Sequence, residues 1–209
     1  MNVIAYDDSV ETTQSEDVFV SGKPSREEAE SAVRTLLRWI GDDPNREGLV
    51  DTPKRVVKAY EEWFSGYQAD PDDILARVFE EVEGYDDIVL LKDIRLESTC
   101  EHHLAPILGK AHIAYLPKNR VVGISKLARL LDVYGKRLQV QEKLTAQVAE
   151  TLDRVLEPRG VAVMIEAEHQ CMSTRGVHKN DVGTITTRFT GAFKDDPKLE
   201  ERFLRLIGR

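Results

Sequence analysis

Along the first quarter of the chain, apolar side chains recur at helical spacing. Ala29, Ala32, Val33, Leu36, Leu37 and Ile40 make one stripe. Ser25 and Glu28, three apart and just after Pro24, have the spacing of a capping box at its start. "DDPNREGLVD" reads as a loop. "DTPKRVVKAYEEWF" predicts a second helix, with Thr52 as N-cap, Pro53 at the first helical position and a stop at Ser65 and Gly66. A third short helix is predicted from "DPDDILARVFEEV", with Asp70 as cap and Pro71 behind it.

The period then changes. "DIVLLKDIRLES" and "ILGKAHIAYLP" read as two strands joined by "TCEHHLAP". "SKLARLLDVYGKRL" and "VQEKLTAQVAETLDRVL" read as helices, the second with Val140, Leu144, Val148 and Leu152 four apart on one face. "GVAVMIEAEHQCM" and "VGTITTRFTGAF" read as strands, and "DPKLEERFLRLI" as a closing helix. The predicted class is α+β: a helical N-terminal part, then an antiparallel β-β-α-α-β-β sheet with a helix pair. Three segments follow: an acidic, mobile tail over residues 1–22, a helical region over 23–84, and a sheet-bearing domain over 85–209. A four-stranded sheet leaves open edges in a monomer, so joining of sheets between subunits is expected.

Composition narrows the setting. Hydrophobic residues are 41% of 209, enough to bury a core, and the net charge of −8 argues against non-specific binding to nucleic acid or an anionic membrane. No run of 18 apolar residues exists, and the first residues lack the basic and apolar regions of a signal peptide, so a cytoplasmic setting is expected. In a reducing compartment the two cysteines, Cys100 and Cys171, are core thiols, metal ligands or nucleophiles rather than a structural disulfide.

Their neighbours favour the metal. Cys100 and His103 are spaced Cys-x-x-His, which lets both reach one ion across a tight turn, and Cys171 offers a third ligand. Three protein ligands leave a zinc ion a position for water, the catalytic pattern. His102 and His169 each stand next to a ligand without being needed as one, where a histidine can shuttle protons near neutral pH. The plain alternative is a buried cysteine with solvated loop histidines. His112 alternates within a strand, which suits a packed or hydrogen-bonded ring. Gln141 and Glu142 open a helix; Glu142 suits the guanine edge, and equally the helix dipole. Arg55 and Lys58, Lys126 and Arg129, and Arg175 stand near predicted helix starts. They suit either a polyanion such as a triphosphate or a solvated face. No P-loop or Rossmann glycine motif is present.

Four stretches in order, "DPNREGLVDTPKRVVKAYEEWFSGY", "STCEHHLAPILGKAHIAYLP", "VVGISKLARLLDVYGKRLQVQEKLT" and "EHQCMSTRGV", together resemble the zinc-dependent GTP cyclohydrolase I family, from about residue 25 to the C-terminus. The resemblance implies a tunnelling fold whose sheets join across subunits into pentameric barrels. Two pentamers would stack into a homodecamer with sites at subunit interfaces. It implies conversion of GTP and water to formate and 7,8-dihydroneopterin triphosphate. It assigns Zn2+ to Cys100, His103 and Cys171, and catalysis to His102, His169 and Ser125. It assigns guanine to Gln141 and Glu142, and the triphosphate to Lys126, Arg129 and Arg175, with Arg55 and Lys58 reaching in from a neighbouring subunit. Two other readings fit parts of the pattern: a related tunnelling-fold enzyme, such as a pterin aldolase or a nitrile reductase, and a non-enzymatic zinc-stapled module that binds nucleotides.

Overall fold

A computed structural model describes residues 22–79 and 84–209. The expected tail lies outside the described residues except for Gly22. Contacts divide the chain after Lys54 into two compact units.

The first unit holds helix α1 (Arg26–Trp39) and the start of α2 (Thr52–Trp63). The capping box forms as expected: Glu28 N–H donates to Ser25 Oγ at 3.1 Å, and Ser25 N–H donates to the Glu28 carboxylate at 2.7 Å. Nothing in α1 is buried, and Leu36 and Ile40 are 60% and 66% exposed. Thr52 is itself helical, one position further in than a cap.

In the second unit α3 (Pro71–Leu75) follows a 3-10 turn over Ser65–Gln68. Asp70 caps it by accepting from Asp72 N–H. The helix expected to run on through "ARVFEEV" stops at Leu75, because Val78 and Phe79 extend as β1 and pair with β4 (Val121–Val122). Residues 80–83 of that stretch lie outside the described residues.

The second unit is organised by a five-stranded sheet. Its strands are β2 (Val89–Cys100), β3 (Pro106–Leu116), β5 (Leu138–Gln139), β6 (Gly160–His169) and β7 (Gly183–Phe189), in the order β5-β2-β3-β6-β7. All neighbours are antiparallel except β5, which runs parallel to the end of β2. The strand pair 138–139 was not apparent in the sequence, since two residues carry no period. Close pairing of β3 and β6 requires Gly109: a Cβ there would meet Glu166 O at 2.1 Å.

Helices α4 (Ile124–Gly135) and α5 (Gln141–Leu156) cover one face, where Leu127, Leu130 and Leu131 of α4 and Leu144, Val148 and Leu152 of α5 meet Ile107, Ile113, Val163 and Ile165. Each such side chain contributes roughly 1.5–3 kcal/mol by leaving water. Over part of the other face, Phe193 from α7 (Ala192–Asp195) and Phe203 from α8 (Pro197–Ile207) pack against Ala114, Leu116, Ala162 and Met164. From Ala111 to Leu116 β3 is therefore buried on both faces, which explains the unbroken run "AHIAYL". A register shift between Leu91 and Ile94 marks a bulge in β2. His112, fully buried, accepts the Asp93 N–H of that bulge on Nδ1 at 3.2 Å, the packed role its position suggested.

Candidate metal and catalytic site

β2 ends at Cys100 and the chain reverses in "CEHHLA". Leu104 N–H donates to Cys100 O at 2.9 Å, and Cys100 N–H donates to Ala105 O at 2.8 Å. Closing so tight a reversal puts Leu104 in the left-handed region, φ +52°, a conformation that costs about 1–3 kcal/mol without glycine. The turn brings His102 Nδ1 and His103 Nδ1 each to 3.9 Å from Cys100 Sγ.

The third donor comes from β6. Ile107 pairs with His169, so the end of β6 lies beside the start of β3 and next to this turn. Two residues on, Cys171 falls in the short helix α6 (Gln170–Ser173), where the sequence had suggested continued strand. Its Sγ is 3.9 Å from Cys100 Sγ. One ligand atom each of Cys100, His103 and Cys171 all lie within 4.8 Å of one another.

This donor set fits a thiophilic divalent ion. Donors about 2.0–2.3 Å from a tetrahedral centre are themselves about 3.3–3.8 Å apart, so a small inward movement of these side chains would close them on one ion. Without a cation, the Cys171 thiol resists ionisation. Burial pushes the Cys171 thiol up, the adjacent Cys100 adds to it, and Arg175 opposes. A bound cation reverses that balance, because its ligands bind as thiolates.

β5 brings the second group of residues. Gln139 pairs with Cys100 and its carbonyl accepts Glu101 N–H at 3.1 Å, so α5, two residues later, starts beside the cysteine turn. Gln141 is buried, and its Oε1 lies 2.8 Å from His169 Nε2. Glu142 is exposed at the same helix start. Burial pushes His169 below the ordinary histidine value, with Glu142 pulling the other way. Cys100, His102, His103, Gln141, Glu142, His169, Cys171 and Arg175 thus converge within a single chain.

Ser125, Lys126 and Arg129 are on the first turns of α4, and among the described residues no hydrogen bond or ion pair joins their side chains to the cysteine turn. Arg129 instead lines a depression with Ser65, Gly66 and Asp132. Arg55 and Lys58 are exposed on α2. Sequence reasoning missed Thr145 and Thr186, whose hydroxyls, 2.7 Å apart, stand behind Gln141. Threonines 41 residues apart on a helix and a strand give no local signal.

Fold and donor set together define a mixed α and β chain in which two cysteines and a histidine could hold a metal ion, flanked by further histidines and a carboxylate. The family model for GTP cyclohydrolase I matches residues 29–208, and the chain belongs to that family. GTP cyclohydrolase activity in pterin biosynthesis follows from that membership. The chain is 64% identical over 190 residues to "GTP cyclohydrolase 1" of Maricaulis maris, covering 91% of this chain and 93% of that protein. It is 56% identical over 201 residues to the protein of the same name from Brucella canis, covering 96% and 94%. The solved structure of the archaeosine synthase QueF-Like is matched over 50% of this chain and 94% of its own at 21% identity, with a TM-score of 0.42, a likeness too slight to build on. No helix among the described residues is long and apolar enough to cross a membrane.

Proposed function

We propose that this chain converts GTP and water to formate and 7,8-dihydroneopterin triphosphate, using zinc held by Cys100, His103 and Cys171. The convergence of those three donors across 71 residues of sequence is the observation that carries the reading. Zinc in that position supplies Lewis acidity that makes water a nucleophile near neutral pH.

The chain's own residues do the rest. His102, beside the ligands yet not one of them, donates a proton to N7 of the purine as C8 is attacked. Ring opening releases C8 as formate. His169 and Ser125 carry protons during the ribose rearrangement that precedes closure of the pterin ring. Glu142, exposed at the start of α5, accepts the guanine N–H groups and keeps C8 facing the metal; a misplacement of about 1 Å costs on the order of a hundredfold in rate. Lys126, Arg129 and Arg175 hold the triphosphate, which is not cleaved.

A site shared between copies is part of the same reading, and follows from the family resemblance. In this reading residues 85–209 form the tunnelling-fold catalytic domain, and residues 23–84 the helical part. Sheets join edge to edge into pentameric barrels, two of which form a cytoplasmic homodecamer. Arg55 and Lys58 then approach the triphosphate from a neighbour.

Incubation with GTP, with and without a chelator, tests the proposal: formate and, after oxidation, a fluorescent pterin are expected only with metal. Cys171→Ser should lose zinc and turnover together, whereas His102→Ser should keep zinc and lose turnover. Zinc loss in His102→Ser would overturn the division of roles.

A further inference from the structure

The side-chain amide of Gln141 has one orientation open to it. Its nitrogen lies 2.9 Å from Thr184 O, 3.2 Å from Ile165 O and 3.1 Å from Thr186 Oγ1. Backbone carbonyls only accept, so the amide group facing them must be the NH2. A flipped amide would set its oxygen against two carbonyl oxygens in a buried site. The other end, Oε1, therefore faces His169 Nε2 at 2.8 Å, and an amide oxygen only accepts. His169 Nε2 must carry a hydrogen, whichever charge the ring bears.

The hydroxyls behind the amide run in one sense. Thr145 Oγ1 donates to Gln141 O at 2.8 Å, so the contact between the two threonine oxygens uses the hydrogen of Thr186. Thr186 Oγ1 is then free to accept from the Gln141 amide. Donation runs from His169 through Gln141, Thr186 and Thr145 back to the Gln141 carbonyl. Gln141 is 1% exposed, and its two amide hydrogens already meet three acceptors.

We propose that Gln141 is a positioning residue, which holds His169 as the Nε2–H tautomer and leaves Nδ1 as the ring atom that takes and returns a proton. Recognition of guanine then falls to the exposed Glu142 beside it. The consequence for turnover rests on the catalytic role proposed for His169; the tautomer itself does not.

The test begins with nitrogen-15 NMR of histidine-labelled, zinc-loaded protein, with the His169 signals assigned by loss in His169→Gln. The expected spectrum has a protonated Nε2 and, in the neutral ring, a bare Nδ1. An Nδ1–H tautomer overturns the proposal. Gln141→Leu should lower kcat about 10–100-fold, taking for this unligated ring the range seen when the partner that orients a metal-bound histidine is removed. KM for GTP should stay within about twofold, and the two tautomers should mix. Raised KM with unchanged kcat, the result of a direct guanine contact, overturns it. If Gln141→Leu fails to fold, Thr186→Val, which keeps both carbonyl acceptors, should move kcat in the same direction by a smaller factor; unchanged kcat there counts against the chain of donors. Full turnover in His169→Ala would remove the catalytic role of His169 while leaving the tautomer assignment standing, so the two failures are distinguishable.

Discussion

Helices α1 and α5 carry the same kind of apolar stripe and meet opposite surroundings. In α5, Leu144, Val148 and Leu152 are fully buried against the sheet. In α1 no residue is buried, and Trp39, at 82%, is more exposed than Leu36 or Ile40. Helical spacing states that a face needs cover, and does not say what covers it. For α5 the cover is β6 and β7, strands that follow it in the same chain. For α1, no residue of the helix is buried among the described residues.

The largest effect that sharpens this contrast is expected at Leu144. Leu144→Ala leaves a cavity between α5 and the sheet and should lower stability by about 2–5 kcal/mol, read from urea unfolding. Leu36→Ala in the dissociated chain should change it by less than about 0.5 kcal/mol. Equal losses at the two positions would mean that α1 is covered within its own chain, and the contrast would disappear.

A smaller effect is expected from charging the α1 face. Leu36→Glu sets a carboxyl where an apolar partner is expected, and even in its neutral form such a group costs about 1–3 kcal/mol to bury without a hydrogen bond. Light scattering should then show the assembly falling toward the 23.7 kDa of one chain as the protein is diluted. An unchanged mass would show that second copies meet elsewhere, for instance through the edges of β2 and β7 alone.

What was legible in the sequence follows the same division. The helix pair, the four main strands and their order could be read because each spans enough residues to display a period. β1, β4 and β5 are two residues each and could not be read, although β5 is what sets the start of α5 beside Cys100. The candidate metal donors were legible because the chain has only two cysteines, each with histidine nearby. The link between Gln141 and His169 was not. It depends on the register that places β6 next to the helix start, and polar side chains carry no mark of the partner they will find 28 residues away. Likewise nothing local showed that "ARVF" would leave α3, since the competing partner, Val121–Val122, lies more than forty residues on.

The smallest effect concerns the boundary between covered and open parts of one strand. On the second face of the sheet Leu108 and Lys110 are exposed, and His112, the next residue on that face, is fully buried. Burial holds His112 below the ordinary histidine value; Asp93 opposes this, while Lys110, Arg209 and Lys92 reinforce it. Glu166, 3.4 Å from Nε2, is the other carboxylate facing the ring. With the folded value depressed, the unfolded chain binds a proton that the folded chain does not. Stability should be fullest above the unfolded value of about 6.5 and fall as pH drops below it, by no more than about 1.4 kcal/mol per pH unit. The ion-paired Asp72 and Asp87 also lose stability on acidification, but only as pH falls below their unfolded value of about 4, so they leave the window between about pH 7 and 5 clear. His169 titrates in the same sense as His112, so the wild-type curve cannot assign the loss, whereas its difference from His112→Gln can. The variant should lose less stability across that window than the wild type. Parallel curves would mean that Glu166 keeps the His112 ring charged in the fold, and that the edge of cover on this face lies one residue pair further along β3.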